Sequence, residues 1–297
     1  MDANLETIGG KPVLRFERRL AHPVEKVWRA VSDPAELEHW FPAMLETELK
    51  VGAPITFVFP EEAPVDTTGH GEILELDPPK VFAFRWNHDV LRFEVVPDGE
   101  GCRLYFTQTL GGGPLGRLAA GRNAAGWDHC LAALAARLDE REAEPFTEWM
   151  SAMEHYIERF ELGEGEVART GAGYQLRFAR DLVWKPSEDV WRLLTEDGFA
   201  RNARVPAGEV TRSEEPRVLE YATGGGTVRW EIHYDEELGS RVELTHTTRE
   251  ADRLPELLAT WHAQLERLFA AAHGKDRPEG VEQLTKHYRE QVKSKRT

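Results

Sequence analysis

Leu14-Arg15-Phe16-Glu17-Arg18-Arg19-Leu20 recurs as Leu176-Arg177-Phe178-Ala179-Arg180-Asp181-Leu182, and Pro23-Val24-Glu25-Lys26-Val27-Trp28-Arg29 as Pro186-Ser187-Glu188-Asp189-Val190-Trp191-Arg192. The matches continue in the same order. Pro79-Lys80-Val81-Phe82 pairs with Pro216-Arg217-Val218-Leu219, and Leu91-Arg92-Phe93-Glu94-Val95 with Val228-Arg229-Trp230-Glu231-Ile232. Trp127, Leu131 and Leu134 pair with Trp261, Leu265 and Leu268, and His155-Tyr156 with His287-Tyr288. A repeat this long is a duplicated domain rather than a solenoid, whose units are far shorter. Each half must therefore be able to complete the same fold.

The 297 residues suit two domains at roughly 100–200 residues apiece. The polar stretch Leu162-Gly163-Glu164-Gly165-Glu166 sets the boundary, giving domains at 1–162 and 163–297. The offset between matches falls from 163 to 137, so the second copy lacks 26 residues. The loss lies between Thr195 and Gly208, opposite Ser32 to Gly71. There the first copy has Glu46–Lys50 and Ile55–Phe59 around Val51-Gly52-Ala53-Pro54, which reads as a hairpin. The second copy is expected to lack that hairpin, to have about five strands, and to be too shallow for a space of roughly 300 Å³. The sheet edge left by the loss is expected to be covered by the first copy, by the linker near Leu162–Arg169, or by a second chain, which leaves a homodimer open.

Within the first copy the pattern is strand, two helices, six strands and a long helix. Val13–Leu20 is the opening strand. Val24, Val27, Trp28 and Val31 follow Pro23 at helical spacing, and a short second helix carries Leu37, Trp40 and Phe41. The strands Gly71–Leu76, Val81–Trp86, Val90–Val96 and Cys102–Leu110 are joined by turn residues, as in a meander. Gly111–Gly126 reads as loose and Gly-rich. Trp127, Leu131, Leu134, Ala135 and Leu138 then form one apolar stripe, and a further helix spans Pro145–Phe160. The fold class expected is α+β: tandem helix-grip domains, each an antiparallel sheet wrapped around a long helix.

These residues resemble the SRPBCC (START-like) superfamily. More narrowly, they are similar to the family named for the C-terminal domain of the heat shock protein 90 ATPase activator. Phe16-Glu17-Arg18, Pro23…Val27-Trp28-Arg29-Ala30-Val31, Asp33-Pro34…Leu37…Trp40-Phe41-Pro42, Gly71–Pro79 with Phe84-Arg85-Trp86, and Gly126-Trp127 with Leu131 carry the likeness. It covers most of 13–160 and, less fully, 174–273. The second copy has Phe199-Ala200-Arg201-Asn202 where the first has Trp40-Phe41-Pro42. The resemblance implies a bacterial-type domain with an interior for lipids, polyketides or hormones. Superfamily members that act as cyclases or aromatases also bring in an enzyme reading. The fold constrains shape more than chemistry.

Charge narrows the partners. With 37 Lys and Arg against 52 Asp and Glu the net charge is −15, of which −12 falls in residues 1–162. Such a surface does not suit nucleic acid, where basic groups must replace condensed counterions. Two cysteines make no disulfide framework, so a cytoplasmic setting is expected. No apolar run reaches the roughly 20 residues of a membrane span. Neither a zinc-spaced Cys or His set nor a phosphate-loop motif is present, so no cofactor and no metal are expected.

A small apolar ligand is the expected partner. Its wall is expected to comprise Trp28, Trp40, Phe41, Phe57, Phe59, Phe84, Trp86, Phe93, Tyr105, Trp127 and Leu131, with His70 as a polar neighbour. No catalytic residue is assigned. Arg92 and His129 also fall near this region, although Arg92, between Leu91 and Phe93, could lie on the convex face. The function expected is non-enzymatic binding of a small apolar or aromatic ligand in the first domain. One alternative is a cyclase- or hydrolase-type enzyme on an aromatic or polyketide substrate, with His70 and Arg92 as the only acid–base candidates. Another is a chaperone ATPase-activating partner.

Overall fold

Alternation of apolar and polar residues builds the strands, and a computed structural model shows how they associate. It describes residues 3–59, 68–236 and 238–294. The chain divides into two compact units, Met1–Phe160 and Glu161–Thr297.

In the first unit β1 (Asn4–Ile8) and β2 (Lys11–Leu20) form a hairpin, followed by α1 (Val24–Ser32) and α2 (Pro34–Leu37). Asp33 ends α1 and caps α2, its Oδ1 accepting from the Ala35 N–H at 3.0 Å. Six strands follow: β3 (Met44–Glu46), β4 (Pro54–Val58), β5 (Thr68–Asp77), β6 (Val81–Trp86), β7 (Asp89–Asp98) and β8 (Gly101–Thr109). All pairings are antiparallel, in the order β1-β2-β8-β7-β6-β5-β4-β3. The hairpin opposite the deletion is present as β3–β4, but its first strand is Met44–Glu46 rather than Glu46–Lys50. α3 (Pro114–Leu118), α4 (Ala120–Leu138) and α5 (Trp149–Arg159) complete the unit. Residues 111–126, read as loose, are largely helical. Gly112 and Gly113 take positive φ before α3, whereas Gly121 serves close packing: a Cβ there would lie 2.6 Å from Ile157 Cγ1, so Gly121 lets α5 approach α4.

The second unit repeats this order without α2, the β3–β4 pair and α3. It comprises β9 (Glu166–Thr170), β10 (Gly173–Asp181), α6 (Ser187–Thr195), β11 (Val210–Glu214), β12 (Val218–Thr223), β13 (Gly226–Asp235), β14 (Gly239–Thr248), α7 (Leu254–Ala272) and α8 (Val281–Ser294). Its sheet runs β11-β12-β13-β14-β10-β9. It has six strands rather than five, because Glu166–Thr170, read as linker, pairs with β10 just as β1 pairs with β2.

That strand rules out the linker as the cover of the edge left by the missing hairpin. The linker covers the edge opposite β11, and β11 itself is exposed along its length. Its protection is local. It is short, a register shift lies between Val210 and Arg212, and it carries Arg212 and Glu214, devices that discourage strand addition.

Both units use equivalent side chains equivalently. The Ala3 N–H donates to Tyr156 Oη at 3.2 Å, and the Gly165 N–H donates to Tyr288 Oη at 3.0 Å. On the outer faces Arg92 bridges Glu75 and Glu94, as Arg229 bridges Glu220 and Glu231. In the second core Trp191, Tyr221, Trp230 and Trp261 are all buried, and Tyr221 Oη and Trp230 Nε1 both donate to the Ala200 carbonyl.

Candidate functional site

The pleat decides which residues of the first unit meet. Ile55 and Phe57 on β4, Ile73 on β5, Phe82 and Phe84 on β6, Leu91 and Phe93 on β7, and Leu104 and Phe106 on β8 face the interior. α4 brings Trp127 onto this face, and the segment after α2 brings Trp40 and Phe41. Trp40 is pinned by its indole N–H, which donates to the Ala30 carbonyl of α1 at 2.9 Å.

The rings make a continuous row. Phe93 stacks on Phe106 at 4.6 Å between centroids, Phe106 meets Trp127 at 4.6 Å, and Trp127 meets Phe41 at 5.4 Å. Phe41 reaches Trp86 at 5.6 Å, and Trp86 stacks on Phe57 at 4.9 Å and on Phe59 at 5.6 Å. Trp40 joins through Phe41 and Phe93, and Phe84 through Phe41 and Phe57. Offset and edge-on ring pairs of this kind add about 0.5–1.5 kcal/mol each beyond the area they bury.

Trp86 reaches Phe57 and Phe59 across β5, and glycine makes this passage. Gly69 and Gly71 stand on β5 between them; a Cβ on Gly69 would lie 3.3 Å from Trp86 Nε1, and one on Gly71 would lie 2.8 Å from Phe57 Cε2. The middle of the row is fully buried, while Trp86 and Phe59 at its end are half-buried.

One polar thread runs into the row. Trp127 Nε1–H donates to Gln108 Oε1 at 2.8 Å, and Gln108 Nε2 donates to Asp89 Oδ2 at 2.6 Å. Asp89 Oδ1 accepts from the Gly111 N–H at 2.7 Å. The indole, which can only donate, fixes the orientation of the Gln108 amide. Burial pushes the Asp89 carboxyl above its usual range, and the Gly111 and Gln108 hydrogen bonds oppose that shift.

Residues 21–139, which span α1, α2, β3–β8 and α4, match the family described as "Activator of Hsp90 ATPase homolog 1-like protein". The likeness lies within the first unit. No curated protein matches the chain. Among solved structures, a conserved protein of unknown function from Enterococcus faecalis is 18% identical, the likeness covering 54% of this chain and 90% of that one, with a TM-score of 0.46. CalU16 from Micromonospora echinospora is 19% identical, over 54% of this chain and 93% of its own, with a TM-score of 0.41. A Bordetella parapertussis protein is 26% identical, over 52% and 95%, with a TM-score of 0.41.

Within the first unit the structure brings together Trp40, Phe41, Phe57, Phe59, Phe84, Trp86, Phe93 and Trp127, with Leu131 buried on α4. It does not bring His70, Tyr105 or Trp28 to the row. His70 alternates with the inward Gly69 and Gly71, so it lies exposed on the outer face. Tyr105 lies between the inward Leu104 and Phe106, opposite Glu17 and Glu94 on that same outer face. Trp28 is half-buried on α1. His129 turns away and stacks on Phe146 at 4.5 Å. Phe106, Gln108 and Asp89 belong to the site although sequence reasoning passed over them. The alternation of β8 was the signal for the first two.

Among the described residues no group of His, Cys, Asp and Glu is arranged to hold a metal, and no helix is long and apolar enough to cross a membrane.

Proposed function

We propose that the first unit, which resembles the activator-homolog family, binds a small apolar or aromatic ligand, without transforming it, between the inner face of its sheet and α4. The observation that carries this reading is the aromatic row and its half-buried end at Phe59 and Trp86. A planar guest entering there exchanges ring–ring contacts for ring–ligand contacts of the same kind, so opening the row costs less than opening an aliphatic core. The Gly69–Gly71 passage gives Trp86 room to shift without moving a neighbouring Cβ.

The enzyme reading has lost its sequence motive, since His70 and Arg92 both stand on the outer face and Arg92 is held by Glu75 and Glu94. A chaperone-activating role rests on the family description alone.

A panel of planar aromatics, polyketide-like phenols and fatty acids, screened by thermal shift and tryptophan fluorescence, tests the proposal. At least one class is expected to raise the melting temperature saturably in the full chain, and Trp86→Leu is expected to weaken that response about tenfold, the equivalent of roughly 1.4 kcal/mol. Absence of any saturable ligand, or a response unchanged in Trp86→Leu, contradicts it.

A further inference from the structure

The second unit was expected to hold no ligand-sized space. It has one of about 520 Å³, and not in the place where the first unit's aromatic row lies. It is an open groove between Arg253 and the N-terminal part of α7, the first nine residues of α8 and the loop at Arg204. Its lining is Arg204, Arg253, Glu256, Thr260, Val281, Glu282, Thr285 and Arg289, too polar for the ligand proposed above. A volume of this size is within the range of small-molecule sites, roughly 300–1,000 Å³.

From the convergence of Arg204, Arg253 and Arg289 on this groove, we infer that the second unit binds a small hydroxylated organic anion, a carboxylate or a phosphate ester. The inference is independent of the ligand proposed for the first unit.

The guanidinium groups are placed but not consumed. Arg253 is held at two points, donating to Glu250 at 2.7 Å and to the Arg204 carbonyl at 3.2 Å, so its fork is oriented in advance. Arg204 meets Glu279 only at 3.8 Å, with both side chains about half exposed. Arg289 pairs with Glu256, also in solvent. Solvent-exposed pairs of this kind hold each other weakly, and each guanidinium has five donors, so an incoming oxyanion finds donors to spare.

Glu256 reports the field inside the groove. The Arg289 hydrogen bond, with the charges of Arg289 and Arg253, holds its carboxyl below the usual range. A carboxylate is thus already favoured at this spot, and Glu256 acts as a resident anion. The body of the ligand would meet Val281 and two hydroxyls. Thr260 and Thr285 each donate to the carbonyl one turn back, at 2.7 and 2.8 Å, so their oxygens are left as acceptors. Acceptors beside arginines suit a ligand that pairs its anionic head with hydroxyl donors.

Calorimetric titration of the full chain with glycerol 3-phosphate, glycerate and glycerol at constant ionic strength tests the inference. Saturable binding of one or both anions is expected, with a dissociation constant near or below about 1 mM, and none of glycerol. The first two arms separate phosphate from carboxylate. Arg253→Gln and Arg204→Gln are each expected to weaken binding about tenfold, as loss of a charged hydrogen bond does. Glu256→Gln is expected to tighten it several-fold, because it removes the resident anion and frees Arg289. No saturable binding of either anion, equal affinity in all variants, or weaker binding in Glu256→Gln overturns the proposal. The Glu256 variant keeps the test decisive should an arginine variant misfold.

Discussion

At the scale of single residues, the buried polar groups are where the two units differ most instructively. Gln108 accepts from Trp127 and donates to Asp89; its counterpart His246 accepts from the counterpart indole, Trp261 Nε1–H to Nδ1 at 2.9 Å. Replacing Gln108 by Leu strands the Trp127 N–H and removes a donor from the buried Asp89. We expect a loss of about 2–3 kcal/mol in a chemical denaturation midpoint, against less than about 0.5 kcal/mol for Tyr105→Phe on the outer face. His246 makes a pH prediction. Burial lowers its pKa from 6.5 to about 4, so the folded unit holds it neutral with Nδ1 free to accept. Between those values the unfolded chain carries a proton that the folded one does not. Its contribution is therefore intact above pH 6.5 and is lost as pH falls toward 4, on the order of 2–3 kcal/mol in all. Denaturation of wild type and His246→Gln at pH 7 and pH 5 checks this. Gln stands at the equivalent position 108, so the variant should keep the indole hydrogen bond and show a shallower pH dependence. Equal slopes would contradict it.

At the scale of elements, glycine positions explain what local pattern concealed. The approach of α5 to α4 needs Gly121, whose added Cβ would meet Ile157 Cγ1 at 2.6 Å. Gly121→Ala should therefore cost about 1–2 kcal/mol despite alanine's better helix propensity, and the double variant Gly121→Ala, Ile157→Ala should show a favourable coupling in a thermodynamic cycle. Additive losses would show that the contact is not the cause. Much of the element order was legible. β2, α1, the meander β5–β8 and the stripe on α4 all follow from alternation, helical spacing and turn residues. What was missed has physical causes. β1 and β9 are short edge strands exposed on most positions, so no apolar pattern marks them. The Gly9-Gly10 dipeptide was the available hairpin signal, and both glycines take the positive φ such a turn needs. Residues 111–126 looked loose because the turn glycines Gly112 and Gly113 share the segment with Gly121, which serves helix packing and looks the same in sequence.

At the scale of the molecule, one element order serves two interiors. The first unit retains the β3–β4 hairpin and with it Phe57, and it has an aromatic row threaded by Gln108 and Asp89. The second lacks the hairpin and closes over Trp230 and Trp261, whose rings meet edge-on at 5.9 Å. Which aromatic residues line the row was mostly legible, because strand alternation sorts inner from outer faces. His70 and Tyr105 were misplaced because each was read by chemistry rather than by its parity along β5 and β8. The central claim is that an apolar ligand enters the first unit at its Phe59–Trp86 end. Titrating the full chain with a ligand from the panel while following the indole N–H resonances of its nine tryptophans tests it most directly. Trp86 and Trp127 should shift together with saturation, and Trp40 by less, while Trp191, Trp230 and Trp261 stay in place. Shifts confined to the second unit's tryptophans, or saturable binding that moves neither Trp86 nor Trp127, would contradict the account.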